Sequence, residues 1–112
     1  MADSMSSVIT DYQAVLYGEG GGTDVAAYIH CFHDGENVAT CIFHNNEGHV
    51  PPNEKESDGR VELNYPISRF DSVIDLLRNE EPVFFLFVES SRLGYIATNK
   101  EPVGEGDGKL AP

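Results

Sequence analysis

Two strongly β-forming runs, residues 25–33 and 37–44, flank the tripeptide Asp34-Gly35-Glu36. This arrangement constrains the fold more than any other feature of the chain. Asp-Gly between β-branched and aromatic residues marks a hairpin, because both residues tolerate the positive φ that a tight turn between twisted strands demands. A pairing centred between Gly35 and Glu36 sets His30 opposite Cys41, and Cys31 opposite Thr40 on the other side of the sheet. A slip of two residues leaves those faces unchanged, since side chains alternate strictly along a strand. On this register Cys31 and Cys41 point to opposite faces. An odd-length irregularity would regroup them.

The flanking segments complete the pattern. Residues 12–17 read as a strand that ends in the glycine-rich stretch 18–23, expected as a flexible turn. Residues 45–59 form a polar loop containing Pro51-Pro52 and four acids. Residues 61–65 alternate apolar and polar, as a half-buried strand does, and Pro66 limits its length or places it at an edge. Phe70, Val73, Ile74 and Leu77 then fall at helical spacing, with Ser68 as the expected N-cap and Asp71 in the first turn. Pro82 bars continuation of the helix. Residues 83–88 are apolar at every position, which predicts a central strand covered on both faces. Residues 89–92 turn the chain and 93–98 return it.

The expected fold is therefore α+β. About six mainly antiparallel strands in the order β-β-β-β-α-β-β form a sheet or half-barrel, with one helix packed on it. A chain of 112 residues suits one domain, here residues 9–98, between a loosely ordered N-terminal tail (1–8) and a flexible C-terminal tail (99–112).

Charge excludes partners more readily than it names one. The chain carries 19 acidic and 7 basic residues, a formal net charge of −12. Nucleic-acid binders need Lys and Arg to neutralise phosphate, and anionic membrane surfaces attract basic segments, so neither partner is expected. The start of the chain lacks the basic and apolar regions of a signal peptide. The apolar run 83–88 is far short of the roughly 18 residues that span a bilayer. Two cysteines without a secretory signal fit a reducing cytoplasmic setting.

The residues with chemical potential cluster on the hairpin: His30, Cys31, His33, Cys41 and His44. A structural zinc needs four ligands, and on the expected register only His30 and Cys41 share a neighbourhood. No metal or other cofactor is expected, and the cysteines read as small buried hydrophobes. Cys41 beside His30 would also suit a thiolate and its base, but no third orienting group is legible. Gly18-Glu-Gly-Gly-Gly22 lacks the following helix and the lysine of a phosphate-binding loop. The acids of residues 53–58 lack the positional order of a calcium loop.

No catalytic residue is assigned. Tyr28, His30, Phe32 and Cys41 stand as the candidate ligand-binding residues. The expected function is that of a small acidic non-catalytic interaction or regulatory domain. The alternatives are a small-ligand or metal-binding protein, or a small hydrolase or thiol enzyme working from the His30/Cys41 face. The expected partner is a basic protein, or a second copy joined through a sheet edge, with residues 83–88 as the strongest β-former.

Overall fold

The computed structural model describes residues 4–18 and 24–99. They build eight strands and one helix: β1 (Ser4–Ile9), β2 (Asp11–Leu16), β3 (Val25–His33), β4 (Glu36–His44), β5 (Glu54–Lys55), β6 (Val61–Pro66), α1 (Phe70–Asn79), β7 (Val83–Val88) and β8 (Leu93–Thr98). The fold is α+β. Its strands number eight rather than six, and they form two open sheets rather than one sheet or half-barrel. One sheet has the order β1-β7-β8, the other β2-β3-β4-β6-β5. All pairings are antiparallel except β4–β6, which is parallel. The polar segment between β4 and β6 is long enough to return the chain to the starting end, as a parallel pair requires.

The start of the chain departs from expectation. Instead of a loose tail, residues 4–9 form β1, which pairs with β7 along all six residues. The serines conceal this strand, because a tail and a strand with one solvated face both tolerate them. Met5, Ser7 and Ile9 share the face of the buried Phe87, Phe85 and Val83. Thr10 alone separates β1 from β2, and there the chain crosses from one sheet to the other. The Thr10 N–H donates to the Phe32 carbonyl at 2.7 Å, and its hydroxyl oxygen accepts the Asp34 N–H at 2.9 Å.

The hairpin forms where Asp-Gly predicts it, with a different register. Asp34 and Gly35 are the two turn residues, with φ of 49° and 89°, and His33 pairs with Glu36. Phe32 then pairs with Asn37 but Cys31 pairs with Ala39, so Val38 is an extra residue, a β-bulge. This one-residue shift turns β4 over relative to β3. His30 lies opposite Thr40 rather than Cys41, and Cys41 lies opposite Ile29. Cys31 and Cys41 thus both face inward and are fully buried, contrary to the opposite-face expectation.

The core lies between the inward faces of the two sheets and the apolar stripe of α1. Phe43 and Phe87 are its largest fully buried side chains, each worth about 1.5–3 kcal/mol of burial. Phe70 of α1 meets Phe43 edge-on at 5.1 Å, and Tyr65 stacks on Phe43 at 5.4 Å. Ser68 does not cap the helix. It sits in a 3-10 turn, Ile67–Arg69, that feeds directly into α1. Gly94 of β8 passes close over β6, where a Cβ would lie 2.5 Å from the Leu63 side chain and 3.2 Å from that of Asn53.

Strand β7 is central in its sheet, as expected, but only one face is covered. Val83, Phe85 and Phe87 are buried, whereas Phe84, Leu86 and Val88 are half-buried on the outward face. Apart from Gly18, the glycine-rich turn at 18–23 lies outside the described residues, and so does the C-terminal tail beyond Asn99. Among the described residues, no helix is long and apolar enough to cross a membrane.

Candidate functional site

Strand β3 positions three of the four candidate ligand-binding residues together. Tyr28, His30 and Phe32 alternate with the buried Ile29 and Cys31, so they share the outward face of the five-stranded sheet. The Tyr28 and His30 rings stack at 5.7 Å and 10°, and Tyr17 meets Tyr28 edge-on at 5.8 Å. His30 Nδ1 lies 3.2 Å from the Thr40 hydroxyl. Cys41 is excluded from this group, because the Val38 bulge turns it into the core and brings Thr40 outward in its place. No His30/Cys41 face exists.

The two thiols instead form a neighbouring pair inside the core. Hydrogen bonding with Cys31, reinforced by burial, pushes the Cys41 thiol well above its usual pKa. A buried thiol held protonated is a poor nucleophile and a poor metal ligand. Burial likewise pushes the Tyr65 hydroxyl far up. This pair packs the core. It offers no activated group to a substrate.

His44 ends β4 and is held at both ring nitrogens. Nε2 lies 2.7 Å from Asn64 Oδ1, and Nδ1 lies 3.4 Å from Asp24 Oδ2. The Asn64 amide nitrogen donates to the Pro52 carbonyl at 2.9 Å, which fixes its oxygen toward His44. Asn53 continues the brace. Its Oδ1 accepts the Asn64 N–H at 2.7 Å, and its Nδ2 donates to the Arg92 carbonyl at 3.0 Å. A chain of polar contacts therefore joins the start of β3, the β4–β6 connection and the β7–β8 turn. The proline-rich loop carries no sequence signal for this brace, because its partners come from four separate segments.

The remaining polar groupings are dispersed. A cleft of about 500 Å³ lies at the β1–β2 corner and is lined in part by Asp11, Tyr12, Arg78 and Glu81, with no histidine or thiol in its lining. Among the described residues, no three His, Cys, Asp or Glu side chains converge as metal ligands. Glu62 of β6 faces Glu54 of β5 across the sheet. Partial burial, a hydrogen bond with Glu56 and repulsion from Glu56 and Glu54 raise its pKa, against an opposing pull from Arg60.

The outward face of the three-stranded sheet differs from all of these. Val8, Phe84, Leu86, Val88, Leu93 and Tyr95 share it with Ser4, Ser6 and Ala97, and none of the nine is charged or buried. Val8, Leu93 and Tyr95 are 44%, 54% and 39% exposed. The unbroken apolar run at 83–88 predicts cover on both faces and so conceals this outward face, and assembling it also requires β1, which the serines hide. The chain matches no protein-family model, no curated protein and no solved structure in the comparisons with each.

Proposed function

We propose that this chain is a non-catalytic interaction domain that docks a partner through its three-stranded sheet. The observation that carries this reading is the uncharged outward face of β1, β7 and β8, in a chain of which 23% of residues are charged. The largest apolar patch on a monomeric protein typically covers about 300–600 Å² and is often functional. From strand spacing and rise, this face covers roughly 300 Å² in projection, within that range. A photo-crosslinking amino acid placed at Tyr95, and separately at the helix position Asp75, tests the reading in intact cells. Adducts identified by mass spectrometry at position 95 and not at 75 support it. Absence of adducts at both, or equal labelling at both, overturns it.

A second reading, docking of a basic protein, is favoured by the Glu54, Glu56 and Glu62 group, whose mutual repulsion a partner's cations would relieve. Binding of a lysine-rich peptide that weakens with salt and fails in the triple Gln variant supports it. Salt-independent binding counts against it.

A further inference from the structure

We propose that the groove between β2 and α1 binds an extended segment of a basic partner, added antiparallel to the free edge of β2 with Lys or Arg at two alternate positions. This site is separate from the three-stranded sheet and does not rest on the reading above. Strand β2 is the outermost strand of its sheet, paired with β3 along all six residues. The opposite edge is β5, which has only two residues, Glu54 and Lys55. Just past the end of β2, the Tyr17 N–H donates to the Ala26 carbonyl at 2.9 Å. Backbone groups alternate from side to side along an antiparallel strand. Asp11, Gln13 and Val15 therefore bond to β3, while Tyr12, Ala14 and Leu16 direct their N–H and C=O groups to the free edge. Among the described residues, no other backbone takes them up. A free edge of this kind is a template for a further strand.

The groove beside this edge defines the chemistry of its occupant. It holds about 760 Å³, with Ala14 and Leu16 of β2 and Phe70 and Ile74 of α1 as its apolar lining. Leu16, 65% exposed, is the most exposed large apolar side chain among the described residues. Asp71 and Asp75 stand at the helix rim, both exposed. Among the described residues neither carboxylate has an ion pair, and Asp75 accepts a hydrogen bond only from the neutral Asn79 amide, at 2.6 Å. An apolar floor below two uncompensated carboxylates selects a cationic side chain with an apolar stem, which Lys and Arg supply. The chain's net charge of −12 favours encounter with a basic partner, and the same acids repel a second copy.

Spacing turns this chemistry into a sequence pattern. Asp71 and Asp75 are four residues apart on α1, about 6 Å along its axis. Alternate residues of a strand share a face and lie about 6.8 Å apart. Two groove-facing Lys or Arg residues, separated by one residue that points to the other side, therefore match the two carboxylates. Their methylene stems cover Leu16 and Phe70, while their charged ends stay in water beside the acids. Arg78 lines this groove and also the corner cleft with Tyr12, so it closes the acidic stretch and the basic pair sits toward Leu16. Side chains of directly opposite residues share a face, so the N–H groups that bond to β2 belong to the basic residues themselves.

Amide NMR titration of the full chain tests this, with a capped hexapeptide of threonine that carries lysine at its second and fourth positions. Saturable shifts at Ala14 and Leu16 are expected, with binding that weakens as salt is raised. Asp71→Asn and Asp75→Asn should each weaken it about two- to fivefold, as loss of an exposed charge pair does, and Arg78→Gln should strengthen it. Methylating the backbone nitrogens of the two lysines abolishes binding, whereas methylating those of two threonines does not. Absence of saturable shifts, equal binding by a peptide with its two lysines adjacent, or indifference to both Asp71→Asn and Asp75→Asn overturns the inference. A response confined to the Glu54, Glu56 and Glu62 group, or to Leu93 and Tyr95, also overturns it. Binding seen only after residues 100–112 are removed identifies the chain's own tail as the occupant, and overturns the partner. A neutral crosslinker in place of Asp75 removes one of the two carboxylates, so the crosslinking result at position 95 stands or falls independently of this groove.

Discussion

Replacing Cys31 and Cys41 by serine tests the face assignment on which the whole candidate site depends. Both thiols are fully buried on the inward side, Cys31 opposite Ala39 and Cys41 opposite Ile29, with Leu63 on the other flank of Cys41. A serine at either position places a hydroxyl among apolar groups, at a cost of about 1–3 kcal/mol. For a domain of this size, each kcal/mol moves the thermal midpoint by about 4–8 °C. Each single variant is therefore expected to melt several degrees lower. The double variant should lose less than the sum. Its two hydroxyls adjoin as the thiols do and can bond to one another, which recovers about 1 kcal/mol. Urea unfolding of the four proteins, followed by circular dichroism, gives this coupling directly. Without the bulge at Val38, Cys41 would leave the core for the outward face opposite His30, where a serine hydroxyl can hydrogen-bond to the ring as that of Thr40 does; its serine variant would then stay within about 0.5 kcal/mol of wild type, and the two effects would add. That outcome would refute the bulged register.

Two further expectations follow from the packing and the charges. Gly94→Ala forces a methyl group against Leu63 and Asn53, and should cost about 1–3 kcal/mol in urea unfolding, with part of the loss recovered by the smaller Leu63→Val; a change below about 0.5 kcal/mol would show that β8 and β6 are not in close contact. Glu62 has a folded pKa above its unfolded value of about 4.3, so its favourable contribution is complete below that pH and is lost as pH rises through the folded value. Glu62→Gln should therefore stabilise the protein at pH 7 by a few tenths of a kcal/mol, discounted for solvent exposure, and the gain should vanish near pH 3; an equal gain at both pH values would exclude the electrostatic cause.

The parts of this architecture that depend on local signals are legible in the sequence. Asp34-Gly35 announces its turn, the Phe70–Leu77 spacing announces α1, and alternation alone puts Tyr28, His30 and Phe32 on one face. The pairing of β4 with β6, by contrast, depends on a contact across a long polar crossover, and no local pattern encodes it. The face of Cys41 turns on a single extra residue, Val38, whose β-branched side chain looks the same in a regular strand as in a bulge. Strand β1 is concealed because its serines serve equally well in solvent and on a strand's outer side. The brace through Asp24, His44, Asn64 and Asn53 joins distant segments, two strand residues and two loop residues, by side chains that carry no local signal individually.

The three-stranded sheet also has a mechanical consequence. Ser4 and Leu93 both adjoin Val88 at one end of β7, while Ile9 and Thr98 adjoin Val83 at the other. The chain therefore enters this sheet at one end and leaves it at the opposite end, with β7 between the two outer strands. A force that draws Ser4 and Thr98 apart runs parallel to all three strands. It loads six residue pairs on each side of β7 together in shear, so neither outer strand can be peeled away rung by rung.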